Sequence, residues 1–372
     1  MLYQTHALVS LANIGKNLAA IRKAIGPERK LLVSVKADAY GHGAVEVASF
    51  AEKNGADWFG VATVPEGLEL KEAGIRLPIL KFSPVFPEEM EAAIDAKLHI
   101  TVCEESNITM LNSAAANLKT TCPVHLKVDT GMGRLGVSAG SAAELAMHIE
   151  KNCPSLYLEG IFTHLPIADD KDKSFTQKQT ELFKKTVDHI HSKIGRRVEL
   201  LHAANSAALL QHEEAWFDML RPGIMVYGYY PDESMDRSME LFPALSFKSR
   251  VTYVKKISAG TRLGYGLSWS SPSDSLIATI PVGYADGFNR LFSNRGRVLI
   301  NGRSYPIVGR VCMDQCMVDL GPDSSIKAGD EVVLLGKSGK EEISCYELAK
   351  TLGTITYEVS CQISKRVKRY YN

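Results

Sequence analysis

No uncharged apolar run in the 372-residue chain approaches the roughly 18–20 residues that a membrane helix requires. Neither sign of charge is in excess: 43 Lys and Arg stand against 42 Asp and Glu, a formal net charge of +1. A nucleic-acid binder working by bulk charge needs a marked basic excess or patch, so that class is set aside. The seven cysteines (103, 122, 153, 312, 316, 345 and 361) contain no Cys-x-x-Cys pair. Cys312 and Cys316 lie close together, yet no matching His/Cys pair completes a zinc set, so no metal is expected. The opening residues Met1–His6 lack the basic and apolar segments of a secretory signal. A cytoplasmic protein with reduced thiols and no membrane association is therefore the expectation. Also missing is a Gly-x-Gly-x-x-Gly turn after the first candidate strand, which would have favoured a doubly wound dinucleotide-binding sheet.

What is present reads as a globular chain of two regions. Residues 1–239 carry 25 basic and 30 acidic side chains, whereas residues 240–372 carry 18 basic and 12 acidic. The opposite signs are either two ordinary solvated surfaces or a mutual attraction, most useful between two chains arranged head to tail. From Ser10, a residue suited to cap a helix, Leu11, Ile14, Leu18, Ile21 and Ile25 recur at helical spacing. Short apolar runs then alternate with amphipathic stretches. The spacing predicts strands at Leu31–Lys36, Trp58–Ala62, Ile79–Phe82, Ile100–Cys103, Val124–Asp129, Leu156–Thr163, Val198–His202 and Leu220–Tyr227. Helical patterns such as Ala44–Lys53, Glu66–Ala73, Pro87–Lys97, Ser106–Leu118, Ser141–Lys151 and Ser174–Ile194 lie between them. This alternation predicts an α/β fold, a parallel (β/α)8 TIM barrel, with an open doubly wound sheet as the alternative. Near Pro231–Ser234 the character changes, and from Leu245 short β-branched and aromatic runs are broken by Gly and Pro. Arg250–Ile257, Leu276–Val282, Arg297–Ile300, Tyr305–Val311 and Glu331–Leu335 read as strands, and only Cys345–Thr351 as helix. The expected domains are residues 10–235, the barrel, and 236–372, mostly β, with residues 1–9 packing on the second.

In such a barrel, reactive groups belong at the carboxyl ends of the strands. Lys36 ends the first predicted strand, Lys127 and Asp129 the fifth, and His164 the sixth. Asn205 and Ser206 follow the seventh, and Arg221 with Gly223 and Ile224 lies in the eighth. A lysine at the end of an apolar strand is costly unless it snorkels or pairs with an acid, which is the ordinary reading. The alternative is a carbonyl-reactive amine whose pKa is lowered by desolvation. The loop Val35-Lys36-Ala37-Asp38-Ala39-Tyr40-Gly41-His42-Gly43 adds a nearby tyrosine and flexible glycines. Ser206 and the backbone N–H groups of Gly223 and Ile224 form a candidate phosphate cradle. A lysine and a phosphate cradle together suggest pyridoxal 5'-phosphate.

The same loop resembles the cofactor-attachment signature of the alanine racemases, a family of pyridoxal phosphate enzymes of fold type III. The resemblance continues through Leu126–Gly136, Thr163-His164, Asn205-Ser206, Arg221–Gly228, Gly264-Tyr265-Gly266, Val282–Gly287 and Val308–Asp314, in the family's order and over almost the whole chain. It implies a barrel with a C-terminal β domain, and a homodimer whose active sites are shared between subunits. It also implies a two-base racemisation of L- and D-alanine on a cofactor aldimine, supplying D-alanine for peptidoglycan synthesis.

By this resemblance Lys36 binds the cofactor and serves as one base, and Tyr265 of the partner subunit is the other. Racemisation needs proton exchange on opposite faces of Cα, which two flanking bases provide. Without the resemblance, Tyr265 reads as a partly buried, hydrogen-bonded tyrosine in a Gly-x-Gly turn. Arg221 is implied to face the pyridine nitrogen; a guanidinium only donates, so that nitrogen stays an unprotonated acceptor. His164 is implied to bridge Arg221 to Tyr265, and Asn205 belongs to the same cofactor set. Arg134 and the Met313 backbone are the implied substrate-carboxylate contacts. Lys127 matches a lysine carbamylated in some members, the rival being a bare lysine paired with Asp129. Tyr40, Ser206, Gly223, Ile224 and Tyr357 match the phosphate set. Cys312 and Asp314 flank Met313 as site-wall residues, and Tyr265, Tyr284 and Tyr357 would crowd the entrance, leaving room for a methyl side chain. Pro166, in Thr163-His164-Leu165-Pro166, departs from the small residue expected there and stiffens that loop. A basic amino-acid decarboxylase of the same architecture would need an acid where Arg221 stands. A cofactor carrier would need no second base, and a serine racemase is the nearest neighbouring activity.

Overall fold

The computed structural model describes residues 3–235 and 237–372. The chain divides into two compact units: Asn13–Ala39 with Gly43–Phe242, and Met1–Ala12 with Tyr40–His42 and Pro243–Asn372.

The first unit is a parallel barrel. Its strands, in chain order, are Lys30–Ser34, Trp58–Val61, Ile79–Lys81, His99–Val102, Cys122–Asp129, Leu156–Phe162, Leu200–His202 and Met219–Leu220. Each pairs in parallel with the next up to the seventh, and the eighth pairs with the first, Met219 opposite Lys30. The seam between the seventh and eighth strands is drawn together by single backbone bonds. Asp218 donates its N–H to Leu201 O and Arg221 to Ala204 O, each at 2.9 Å. Strands covered on both faces read as continuous apolar runs, and Trp58–Val61 and Ile79–Lys81 are buried throughout. Leu32, Trp58, Leu80 and Met219 form a core cluster, with Phe82 and Leu200 packed against it. Gly60 is required there, because a Cβ would lie 2.1 Å from the Phe82 ring.

Helices follow the apolar periodicity closely. Ala44–Lys53 and Ser174–Ile194 have the predicted bounds, the latter ending at Gly195 in the left-handed conformation that glycine adopts freely. Val64–Glu72 starts two residues before Glu66 because Thr63 and Glu66 form a reciprocal capping box. The predicted strand Leu220–Tyr227 is corrected. Its strand stops at Leu220, Pro222 offers no N–H, and Ile224–Tyr227 is a fully buried 3-10 turn. Burial on all sides gives a turn the same unbroken apolar signature as a core strand.

The second unit is a largely antiparallel sheet in the order Tyr253–Ile257, Ser275–Ile280, Cys316–Asp319, Arg303–Val308, Arg297–Ile300, Glu331–Ser338, Leu245–Arg250, His6–Val9 and Lys368–Tyr371. His6–Val9 lies antiparallel to Leu245–Arg250 and parallel to Lys368–Tyr371. The predicted strand Arg250–Ile257 is two strands. Leu245–Arg250 pairs with Glu331–Ser338, the chain turns at buried Val251, and Tyr253–Ile257 pairs with Ser275–Ile280. Besides Cys345–Leu352, a second short helix, Thr356–Cys361, is present that the sequence pattern did not show.

Candidate active site

Lys36 does not end the first strand; it opens a helical turn, Lys36–Gly41, of unusual hand. Ala37, Asp38, Ala39 and Tyr40 all have φ between 51° and 55°, followed by Gly41 at 81°. Left-handed helical backbone costs an L-residue roughly 1–2 kcal/mol, so four in succession persist only where surroundings impose them. Ala39 donates to Val35 O at 2.8 Å and Gly43 to Asp38 O at 2.9 Å. The Asp38 carboxylate accepts the Ala44 N–H at the start of the next helix, 2.8 Å. Glu66, already capping its own helix through one oxygen, accepts the Ala37 N–H through the other at 2.7 Å. One carboxylate thus ties the lysine turn to the loop after the second strand.

Around the same barrel end, cations gather without matching acids. Arg221, directly after the eighth strand, is buried, and Lys127 on the fifth is buried with it. Desolvation lowers the Lys127 ammonium to about 7, helped by the charges of Arg221 and Arg134. Desolvation alone lowers Arg221 to about 9. His164 is held well below its ordinary value by burial first, then by the charges of Arg221, Lys127, Arg134 and Lys36. Asp129 does not offset them by direct pairing. Its carboxylate accepts the N–H groups of Gly131 (2.9 Å), Met132 (2.9 Å) and Gly133 (3.0 Å), and among the described residues it forms no ion pair with Lys127. Despite a cost of burial, those three bonds hold its pKa down. The Lys127 ammonium instead lies 4.3 Å from the Phe162 ring centre. Arg221 lies 5.4 Å from the same ring. Cation–π attraction partly replaces the water both groups have lost.

The loops after the seventh and eighth strands converge as the sequence suggests. Gly223 donates its N–H to Ser206 Oγ at 2.9 Å. Asn205 caps the helix Ser206–Gln211, accepting from Ala208 at 3.0 Å, and donates to Leu165 O at 2.9 Å. Ile224 opens the adjoining turn. Arg134 is exposed on the loop after the fifth strand.

Tyr40, Tyr265, Tyr284, Cys312, Met313, Asp314 and Tyr357 belong to the second unit. Tyr265 is 74% exposed on a turn whose flanking Gly264 and Gly266 have φ of 72° and 69°, unlike the partly buried tyrosine of the ordinary reading. Tyr284 and Met313 are also exposed. Their two loops pack backbone to backbone, Tyr284 donating to Cys312 O at 3.1 Å and Ala285 to Met313 O at 3.0 Å. A Cβ on Gly283 would sit 2.2 Å from Cys312 O, so that approach needs glycine. Burial raises the Cys312 thiol, which lies 3.4 Å from Arg310 O, and Asp314 pairs with Arg366 at 2.6 Å. The rings of Tyr40 and Tyr357 lie 5.9 Å apart.

Several residues of the barrel interior went unnoticed in the sequence. Lys81 ends the third strand, buried, and donates to Ser83 O, Ser83 Oγ and Pro84 O. His202 accepts from Arg221, and His125, Glu159 and His99 continue from it. A lysine inside an apolar strand was a readable signal for Lys81; the others carry no local motif.

An excess of positive charge around the Lys36 amine fits an anionic, carbonyl-bearing group, and the donors here (Lys36, Arg221, the Ser206–Gly223 loops) fit pyridoxal 5'-phosphate in kind. Comparison with known proteins points the same way. Residues 9–231 match the family model "Alanine racemase, N-terminal domain", and residues 244–371 match "Alanine racemase, C-terminal domain". The alanine racemase of Cutibacterium acnes is 48% identical over 369 residues, 99% of this chain and 97% of the relative. That of Desulforamulus reducens is 41% identical over 368 residues, 98% of each chain. A solved alanine racemase of Clostridium difficile 630 superposes with a TM-score of 0.96 at 38% identity, covering 100% of this chain and 96% of the other.

Proposed function

Because the chain belongs to the alanine racemase family and is by that membership an isomerase, we propose that it interconverts L- and D-alanine with pyridoxal 5'-phosphate as cofactor. The observation that carries this reading is the meeting at one barrel end of Lys36 on its left-handed turn, the buried Lys127 and Arg221, and the Ser206–Gly223 loops. When bound, the cofactor supplies a carbonyl for the amine and a ring that accepts electron density from Cα. Lys36 would hold it, the Ser206, Gly223 and Ile224 groups with Tyr40 and Tyr357 would take its phosphate, and Asn205 and His164 would flank it.

Arg221 fixes what the ring nitrogen can be. Its Nη2 group donates to Thr163 O (2.9 Å) and Ala203 O (3.0 Å), with His164 Nδ1 at 3.4 Å, and its Nη1 donates to His202 Nδ1 at 2.9 Å. Of its five N–H groups, the Nε–H and one Nη1–H have no acceptor among the described residues. A permanent donor there keeps the ring nitrogen unprotonated and moderates electron withdrawal, which disfavours side reactions at the cofactor.

Lys36 handles the proton on one face of Cα. Tyr265 of a partner subunit handles the other, and its exposure on an outward turn suits a residue that acts on a second copy of the chain. The functional unit is then a homodimer with shared sites. Arg134 and the Met313 N–H would bind the substrate carboxylate. Tyr265, Tyr284 and Tyr357 would limit the side chain to about a methyl group. A cytoplasmic location and a role in supplying D-alanine for peptidoglycan complete the reading. No helix among the described residues is long and apolar enough to cross a membrane.

The test is chiral analysis of L-alanine incubated in heavy water with the cofactor-loaded protein. D-alanine carrying deuterium at Cα is the expected product. Lys36→Ala should abolish it, and Tyr265→Phe should remove exchange on one face only. Alanine recovered unchanged and undeuterated would reject the reading.

A further inference from the structure

Side chains on four consecutive barrel strands, and Arg221 directly after the next, form one hydrogen-bonded line through the barrel interior. Arg221 Nη1 lies 2.9 Å from His202 Nδ1, and His202 Nε2 lies 2.8 Å from His125 Nδ1. His125 Nε2 lies 3.1 Å from Glu159 Oε2, and His99 Nδ1 lies 2.5 Å from the same oxygen. His125 and His202 are fully buried, and Glu159 and His99 are partly exposed. The proton positions follow without further choice. A guanidinium cannot accept, so His202 Nδ1 carries no proton and its Nε2 does. That N–H requires a bare His125 Nδ1, so His125 is also the Nε2–H tautomer and donates to Glu159. His99 donates to Glu159 from the other side. From Arg221 to Glu159 every donor points away from the guanidinium, and the carboxylate also receives His99 from its far side.

We propose that Glu159, acting through His125 and His202, is the counter-charge and positioning group for Arg221. Three observations converge on this. Among the described residues, Arg221 has no acid within ion-pair distance. His202 is wedged against Phe162, rings 4.7 Å apart and 5° from parallel, so it cannot swing aside. Gly160, next to Glu159, clears the space for His125: a Cβ there would lie 2.3 Å from its Nδ1. With the line intact, one edge of the guanidinium is locked to His202, and its Nε–H edge keeps a fixed direction. The part played by that edge rests on the racemase reading. The proton order of the line does not.

The experiment therefore has two readouts. In cofactor-free protein, ¹⁵N NMR of the histidine rings should show His125 and His202 as neutral Nε2–H tautomers. His125→Phe removes the acceptor of the His202 Nε2–H: the tautomer, held by Arg221, should persist, while the Nε2–H proton should lose its hydrogen-bonded downfield shift. His125→Gln offers an oxygen and an amide in place of Nδ1 and Nε2–H, and should restore the wild-type signal. In the loaded enzyme, His125→Phe should lower kcat on the order of 10²-fold through misplacement of Arg221, with KM for alanine changed far less. Glu159→Gln, at the partly exposed end and tolerable to folding, should lower kcat in the same direction while keeping the tautomers. An Nδ1–H tautomer at His202 in the wild type would overturn the proposal. So would a folded His125→Phe protein with an unchanged His202 Nε2–H shift and kcat, or unchanged kcat in Glu159→Gln. A stoichiometric zinc ion on His99, His125 and Glu159 would also overturn it, since metal would replace the His125 proton. If the wild type lacks racemase activity, the racemase reading fails, yet the tautomers still decide the line.

Discussion

Replacing Ala37 with glycine probes the handedness of the turn that presents Lys36. At φ 51° the alanine Cβ crowds its own backbone, a cost of roughly 1–2 kcal/mol that glycine does not bear. Against this, glycine gives the unfolded chain extra freedom worth about 0.4–1 kcal/mol. Ala37 is exposed, so no packing is lost, and its N–H bond to Glu66 is a backbone bond that glycine keeps. The net expectation is stabilisation of about 0.5–1 kcal/mol. The control is Ala19, exposed on the right-handed helix Leu11–Ile25, where the same substitution should cost about 1 kcal/mol. Urea unfolding of cofactor-free protein, at one protein concentration and with unchanged m-value, measures both. Opposite shifts of the midpoint confirm the left-handed turn. Destabilisation by Ala37→Gly equal to that of Ala19→Gly would refute it.

Other outcomes are equally specific. Lys127 is lowered to about 7 from 10.5, chiefly by burial, so the folded protein releases a proton that the unfolded chain still holds between those values. Stability should therefore rise with pH over pH 7–10.5, and Lys127→Met should flatten that rise. An amine-reactive reagent at pH 8 should modify Lys127 out of proportion to its burial, and labelling no faster than ordinary lysines would contradict the lowered value. Gly160→Ala should destabilise by about 1–3 kcal/mol through overpacking against His125, detectable as a reduced urea midpoint. An unchanged midpoint would show that the ring has room to move. Burial holds the thiols of Cys122 and Cys345 up at about 12 and that of Cys316 higher still. None should react with a disulfide reagent at pH 8 until the protein is unfolded, and prompt labelling of any of them would show the packing to be looser.

The barrel was legible because parallel strands buried on both faces leave unbroken apolar runs, and because Lys36, Lys127 and Arg221 are conspicuous exceptions within or beside them. The family's motifs, met in order along the chain, supplied roles that no spacing could. Handedness was invisible: Lys36-Ala37-Asp38-Ala39-Tyr40 has ordinary helix formers, and the left-handed hand is imposed by Glu66 and Asp38 through contacts the sequence does not display. His99, His125, Glu159 and His202 stand on four different strands and Arg221 just beyond a fifth, so their line exists only once the barrel closes. Ile224–Tyr227 and the break after Arg250 were misread because burial alone cannot distinguish a turn, or a change of sheet partner, from a continuing strand.

The pairing of distant strands also sets an order of assembly during translation. His6–Val9 finds one partner only when Lys368–Tyr371 has been made, and Leu11 donates its N–H to Asn372 O at 2.9 Å. Lys36 emerges early, whereas Arg221 arrives on the strand that closes the ring against Lys30–Ser34. A nascent chain thus carries Lys36 through most of barrel synthesis without Arg221 or the loops after the seventh and eighth strands. Domains form as units as they leave the ribosome, and on the proposed function the arrival of the eighth strand is the event that would make Lys36 a reagent.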